Sequence, residues 1–171
     1  AGSATTSARA LPPTPACDDG DDPTPAQTEG PYFTPDSPER ASLLEAGLQG
    51  DRLTVAGTVL ATDCRPLPRA LLDFWQADAA GNYDNQGYRL RGHQFTGAGG
   101  RFRLETVVPG LYPGRTRHIH VKVQAPDGPV LTTQLYFPGE AANASDGIFR
   151  EELLLTMNGT RQASFTFVLE G

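Results

Sequence analysis

His118 and His120 stand two residues apart in the stretch RTRHIHVKV, residues 115–123. Successive side chains of a strand point to opposite faces, so on a strand this pair projects from one face. They are two of only three histidines in the chain, and two neutral imidazoles side by side are a pair of nitrogen donors for a metal ion. From this stretch alone the alternative is equally open: polar residues on the wet face of a half-buried sheet, with Ile119 and Val121 facing the core. Two tyrosines stand where turns can swing them over the same rim, Tyr112 in GLYPG just before the histidines and Tyr83 at the end of QADAAGNY. Ionising a phenol of reference pKa near 10 at pH 7 costs about 4 kcal/mol, which makes it a poor ligand for Zn(II), Ca(II) or Mg(II). A hard trivalent cation offsets that cost by direct charge interaction. Two tyrosinates plus hydroxide would balance Fe(III), and two imidazoles would complete a five-coordinate site. Against this, tyrosine is common in β-proteins as an ordinary packing aromatic.

The elements that must position these groups are short and β-like. Runs of aromatic and β-branched residues, separated by Gly, Pro, Asn and Asp, predict strands over 53–61, 70–78, 88–95, 101–108, 117–125, 129–137 and 162–170. In RFRLETV, Phe102, Leu104 and Thr106 oppose Arg101, Arg103 and Glu105. In SFTFVL, Phe165, Phe167 and Leu169 share a face. The turns GAGG, PGLYPG and APDG stand between the runs. Only 37–47 and 147–156 could be helical. The fold class expected is all-β, a sandwich of mainly antiparallel strands over 28–171. Residues 1–27, rich in Ala, Ser, Thr, Pro and Asp and nearly devoid of large apolar side chains, are expected to be a disordered tail or linker.

The 171 residues fit one domain with a real core. A formal net charge of -6 argues against a nucleic-acid partner, which needs clustered Lys and Arg. No apolar run approaches the roughly 20 residues needed to cross a bilayer, so no membrane partner is expected. Cys17 and Cys64 are the only cysteines. They are too far apart for a CxxC motif, and a disulfide between them would tie the tail to the domain, a loop closure worth about 4 kcal/mol. Two buried thiols are the alternative. If the bond forms, the protein belongs in an oxidising compartment, as a secreted product whose signal has been removed.

Several motifs in order carry a resemblance: TEGPYF (28–33), VAGTVLATDCRPLPRALLDFWQADAAGNY (55–83), GRFRLETVVPGLYPGRTRHIHVKV (100–123) and LTTQLYFPGE (131–140). Together they resemble the catalytic domain of the intradiol ring-cleavage dioxygenases, the non-haem Fe(III) family of catechol 1,2-dioxygenase and protocatechuate 3,4-dioxygenase. The resemblance implies four metal ligands, with Tyr112 and His120 axial and Tyr83 and His118 equatorial. It implies that Arg115 and Gln134 flank the substrate ring and stabilise the charge that develops on it, which the permanently cationic guanidinium can do without proton transfer. Tyr112 is expected to act also as the base that takes a substrate proton. His93, Tyr88 and Tyr136 are expected to be rim or packing residues, Tyr32 to line the mouth of the site, and Asp73 and Asp78 to be structural.

The implied reaction is O2-dependent cleavage of catechol-type aromatics between the two hydroxylated carbons, with both oxygen atoms incorporated, giving cis,cis-muconate type dicarboxylates. The implied partners are small catechols and O2, in extracellular breakdown of lignin or other aromatics. Two departures stand out. Much of the family reads Arg-Pro-Ala where this chain has Arg115, Thr116 and Arg117, so a differently shaped or more positive approach to the metal is expected. The chain has no room for the helical segment through which many catechol dioxygenases dimerise, so the family's oligomeric states are not carried over and the state is left open, a monomer included. The start TEGPYF after a Cys-bearing tail is similar to small secreted members. The competing reading is a non-catalytic β-sandwich binding module, transthyretin-like or carbohydrate-binding, in which the histidines are merely solvated or take a structural divalent ion.

Overall fold

A computed structural model describes residues 22–170. Eight strands form in chain order: β1 (Arg52–Ala61), β2 (Leu71–Trp75), β3 (Arg91–Phe95), β4 (Arg101–Val107), β5 (His118–Gln124), β6 (Val130–Tyr136), β7 (Thr156–Met157) and β8 (Gln162–Leu169). They make two four-stranded sheets, ordered β4-β1-β8-β7 and β3-β2-β5-β6. Every pairing is antiparallel except β1 with β8. The expected sandwich of mainly antiparallel strands is the fold.

The period-2 patterning decides which residues meet between the sheets. Val55 and Val59 of β1, Leu104 of β4 and Phe167 of β8 face Leu72 and Phe74 of β2 and Ile119, Val121 and Val123 of β5, and all are buried in one core. Burying one such side chain contributes roughly 1.5–3 kcal/mol. At Gly57, opposite Phe165 in the parallel pair, an added Cβ would lie 1.8 Å from the Phe165 carbonyl oxygen. Only glycine lets β1 and β8 run together there.

Two expectations are corrected. Residues 37–47 form no helix. Pro38, Arg40, Ala41 and Leu43 instead exchange backbone hydrogen bonds with His93 of β3 and Glu105 of β4, so the segment runs extended and touches an edge strand of each sheet. Tertiary pairing outweighs a weak helical periodicity here. Within 147–156 only a 3-10 turn at Glu151–Leu153 forms, followed by the short β7.

Strand ends also differ where polar side chains take over. After Trp75, Gln76 spends its amide on the Val107 and Ala77 carbonyls, and Asp78 Oδ1 accepts from the Ala80 and Asn82 amides to close a turn. The stretch 22–27, read from sequence as part of the tail, is hydrogen-bonded to the sandwich. Thr24 exchanges bonds with Val168, the Gln27 amide donates to Thr132 O, and Thr133 Oγ1 donates to Pro25 O. Backbone pairing, which composition does not report, fixes this segment. Cys17 lies outside the described residues, while Cys64 sits half-buried against Leu60 and Val168. Among the described residues no helix is long and apolar enough to cross a membrane.

Candidate metal centre

β5 is buried on both faces. Ile119 and Val121 enter the core, and His118 and His120 project from the opposite face yet are only 5% and 4% exposed. The wet-face alternative therefore fails. His120 stacks on Trp75 of the neighbouring β2, with ring centroids 4.8 Å apart and planes 7° from parallel.

The two Nε2 atoms are 3.2 Å apart, and Tyr83 Oη lies 3.1 Å from His120 Nε2 and 3.3 Å from His118 Nε2. Metal–nitrogen and metal–oxygen bonds of about 2 Å put neighbouring donors roughly 3 Å apart, so this triangle has the edge lengths of a coordination polyhedron. His118 Nδ1 lies 2.7 Å from Thr116 O. A carbonyl only accepts, so Nδ1 carries the proton and the Nε2 lone pair is left for a ligand. Among the described residues no group of three or more His, Cys, Asp or Glu converges as a metal site. The third donor in contact with both imidazoles is a phenol oxygen, that of Tyr83, and the residues present fit a hard cation that can ionise it.

Tyr83 and Tyr112 are delivered by two turns packed backbone to backbone. The Gly110 amide donates to Asp78 O at 2.8 Å. A Cβ at Gly110 would lie 2.4 Å from Ala79 O, and one at Gly81, which has φ +91, would lie 2.4 Å from Leu111 O. The tyrosine rings meet edge to face with centroids 5.7 Å apart. Tyr112 makes no hydrogen bond with the histidines or Tyr83. Its hydroxyl is 2.6 Å from Tyr32 Oη, and the Tyr32 ring stacks on Tyr83 at 4.8 Å. Three of the four expected ligands are thus in mutual contact, and the fourth stands off on Tyr32.

Arg115 Nη2 donates to Gln134 Oε1 at 2.7 Å and to Tyr136 Oη at 3.2 Å, and Gln134 sits opposite His120 in the β5–β6 register. The extra positive charge expected from Arg117 is compensated, since its guanidinium donates to Glu140 Oε2 at 3.0 Å and to the Pro109 carbonyl. His93, on β3, faces Ser37 Oγ at 3.2 Å and takes no part in the cluster. Tyr88 donates to Pro35 O.

Burial lowers the pKa of His118 to about 4 and holds that of His120 well below the ordinary histidine range, so both imidazoles are neutral at pH 7. Burial pushes the Tyr83 phenol up, with Arg115 and Arg91 opposing, and the Tyr32 hydrogen bond pushes Tyr112 up. Without a cation both tyrosines are phenols at neutral pH.

Sequence reasoning missed three supports. Arg91, 2% exposed, donates to the carbonyls of Tyr32 at 2.5 Å and Asp84 at 2.9 Å, tying the TEGPYF segment to the loop after Tyr83. An arginine inside the run YRLRGHQF was the available signal. Asp146 receives Arg115 Nε at 2.8 Å. Tyr136, expected only to pack, adds a hydroxyl to the arginine network.

The chain matches a family model described as "Dioxygenase" over residues 28–171. It is 30% identical over 166 residues to 6-chlorohydroxyquinol 1,2-dioxygenase of Cupriavidus pinatubonensis, covering 82% of this chain and 60% of that protein. It is 35% identical over 119 residues to the protocatechuate 3,4-dioxygenase beta chain of Burkholderia cepacia, covering 59% of this chain and 51% of that one. The chain therefore spans about half to 60% of the length of these relatives. Among solved structures, the dioxygenase domain of a dioxygenase carbohydrate-binding protein fusion from the cellulolytic bacterium Streptomyces sp. SirexAA-E superposes with a TM-score of 0.83 at 59% identity, covering 87% of this chain and 99% of that one. The 3-chlorocatechol 1,2-dioxygenase of Rhodococcus opacus gives 0.79 at 32% identity, covering 86% and 73%. With a match of this extent and the motif tyrosines and histidines gathered on one rim, the chain belongs to the intradiol ring-cleavage dioxygenase family.

Proposed function

We propose that the chain is an Fe(III)-dependent intradiol dioxygenase that converts catechol-type aromatics and O2 to cis,cis-muconate type dicarboxylates. The observation that carries this reading is the triangle of Tyr83 Oη, His118 Nε2 and His120 Nε2, with edges of 3.1–3.3 Å, beside a second tyrosine. His118, His120, Tyr83 and Tyr112 would hold the ion. Bound there, ferric iron supplies the Lewis acidity that keeps both catechol oxygens ionised and the electronic activation of the ring toward O2.

The protein groups do the rest by position and proton transfer. Tyr112 Oη, as a tyrosinate, takes one catechol proton and hydroxide takes the other, and the resulting Tyr112 phenol stays hydrogen-bonded to Tyr32 Oη. Arg115, with Gln134 against its Nη2, lies close enough to lower the pKa of both histidines and of Tyr83. The same positive field stabilises negative charge on a bound ring. Trp75 and Tyr32 stack on His120 and Tyr83 and keep water from the donor atoms. Catechol plus O2 and the muconic acid product have the same atoms, so no external reductant enters.

The relatives named for 6-chlorohydroxyquinol and 3-chlorocatechol support a small substituted catechol as substrate. The likeness to the dioxygenase domain of a carbohydrate-binding fusion from a cellulolytic bacterium favours a role in aromatic breakdown outside the cell. Visible absorption of the purified protein tests the function. A broad tyrosinate-to-Fe(III) band that shifts on anaerobic addition of catechol, with one O2 consumed per catechol afterwards, is the expected result. A protein that stays colourless after ferric reconstitution refutes it.

A further inference from the structure

The Arg115 guanidinium is the group this site aims at negative charge, and one carboxylate holds it. Asp146 Oδ2 accepts from Arg115 Nε at 2.8 Å and from the Thr116 amide at 2.8 Å, while Oδ1 accepts from the Ile148 amide at 3.0 Å. The Asp146 side chain is only 2% exposed. Charge-assisted bonds of this kind are about twice as strong as neutral ones. On the other flank, Arg115 Nη2 is taken by Gln134 Oε1 and Tyr136 Oη, and Tyr136 Oη in turn donates to Gln27 Oε1. Nη1 makes no hydrogen bond among the described residues, so its N–H groups remain for a ligand.

Packing leaves one side of the Arg115 side chain open, since it is 20% exposed. A cavity of about 330 Å³, lined by Gly114, Arg115, Thr116, Ala142, Ser145 and Asp146, opens beside it. Without its anchor the side chain has room to swing outward. The second bond on Oδ2 matters as much, because Thr116, whose N–H donates to Asp146, also presents the carbonyl that accepts from His118 Nδ1. Thr116 Oγ1 is fixed from the same loop, 2.5 Å from Asn143 Oδ1.

We propose that Asp146 is the positioning residue of this centre: one carboxylate oxygen fixes both the Arg115 guanidinium that meets the substrate's charge and the Thr116 carbonyl that sets the His118 tautomer. The role rests on the catechol-cleavage reading, but its geometric part is testable without metal. Outer partners of metal sites typically cost about 10–100-fold in affinity or activity when lost.

The test compares wild type with Asp146→Asn, which keeps the shape and removes the charge. In the metal-free protein, nitrogen-15 NMR is expected to show a slowly exchanging Arg115 Nε–H and His118 wholly in the Nδ1–H form, and the variant is expected to lose the first and mix tautomers. In the iron-loaded protein, the variant is expected to lose about 10–100-fold in kcat/KM for catechol, mostly in kcat, while a neutral phenol inhibitor binds as before. Unchanged resonances together with unchanged kcat/KM would overturn the proposal. Should the variant not fold, wild type alone decides: a freely exchanging Arg115 Nε–H, or His118 protonated at Nε2, overturns it. If the NMR changes occur in a protein that neither takes up iron nor cleaves catechol, the functional reading fails and the positioning role stands.

Discussion

Tyr32 Oη and Tyr112 Oη are 2.6 Å apart, a hydrogen bond between residues 80 positions apart in the chain. Through it the extended segment that starts the domain reaches the tyrosine assigned as proton acceptor. Arg91 holds that segment by the Tyr32 carbonyl. A Tyr112 phenol turned away from the metal therefore has a waiting partner.

Tyr32→Phe removes that partner and leaves the donor triangle untouched. A net hydrogen bond of about 1 kcal/mol predicts a fall of roughly 5-fold in kcat. Steady-state kinetics beside metal analysis checks this, with iron content expected to stay at the wild-type level.

The triangle itself predicts unequal ligand roles. His118→Ala and His120→Ala each remove a nitrogen from the contact set and are expected to lose iron. Tyr112→Phe, whose hydroxyl is outside that set, is expected to keep iron and slow substrate deprotonation. Metal analysis of the three purified variants decides, and full iron in either histidine variant sinks the assignment.

How much of this was legible beforehand depends on range. The strands were, because alternation in stretches such as RFRLETV is a local signal and burial acts on it directly. The shared face of the histidine pair was, since a two-residue spacing is written locally, whereas the grouping of Tyr83 and Tyr112 with it came from the family resemblance. The extended course of 37–47 was not: its hydrogen bonds go to His93 and Glu105, more than fifty residues away, and no local pattern encodes them. The Asp146–Arg115 anchor spans 31 positions and was invisible for the same reason. Arg117 misled because its charge was read without Glu140, its partner in space.

Asp73 carries a pH prediction away from the metal centre. Its half-buried carboxyl, which accepts from Ser37 Oγ at 2.8 Å, is pushed up by desolvation, with Ser37, His93 and Lys122 opposing. A folded pKa above the unfolded value means that the folded state binds more protons over that window. Stability from this group is complete below the unfolded pKa and is lost as pH rises through the folded one. Asp73→Asn is therefore expected to raise the urea midpoint of the protein at pH 7, with the gain vanishing near pH 3. An equal gain at both pH values would show that packing, not charge, is responsible.

Gly110 separates the site from the fold. It lies in the turn that carries Tyr112, where its missing Cβ admits the Ala79 carbonyl oxygen and the Gly81 nitrogen to 2.4 and 2.5 Å of the place a Cβ would occupy. Both neighbours are backbone, so neither can rotate aside, and Gly110→Ala must drive the two tyrosine turns apart. The core strands lie elsewhere, so the far-ultraviolet circular dichroism of Gly110→Ala should match wild type. The tyrosinate band of the iron-loaded protein should weaken, because Tyr83 and Tyr112 no longer share one rim. A band of full intensity in a well-folded Gly110→Ala protein would mean that the close approach of the two turns has no part in building the centre.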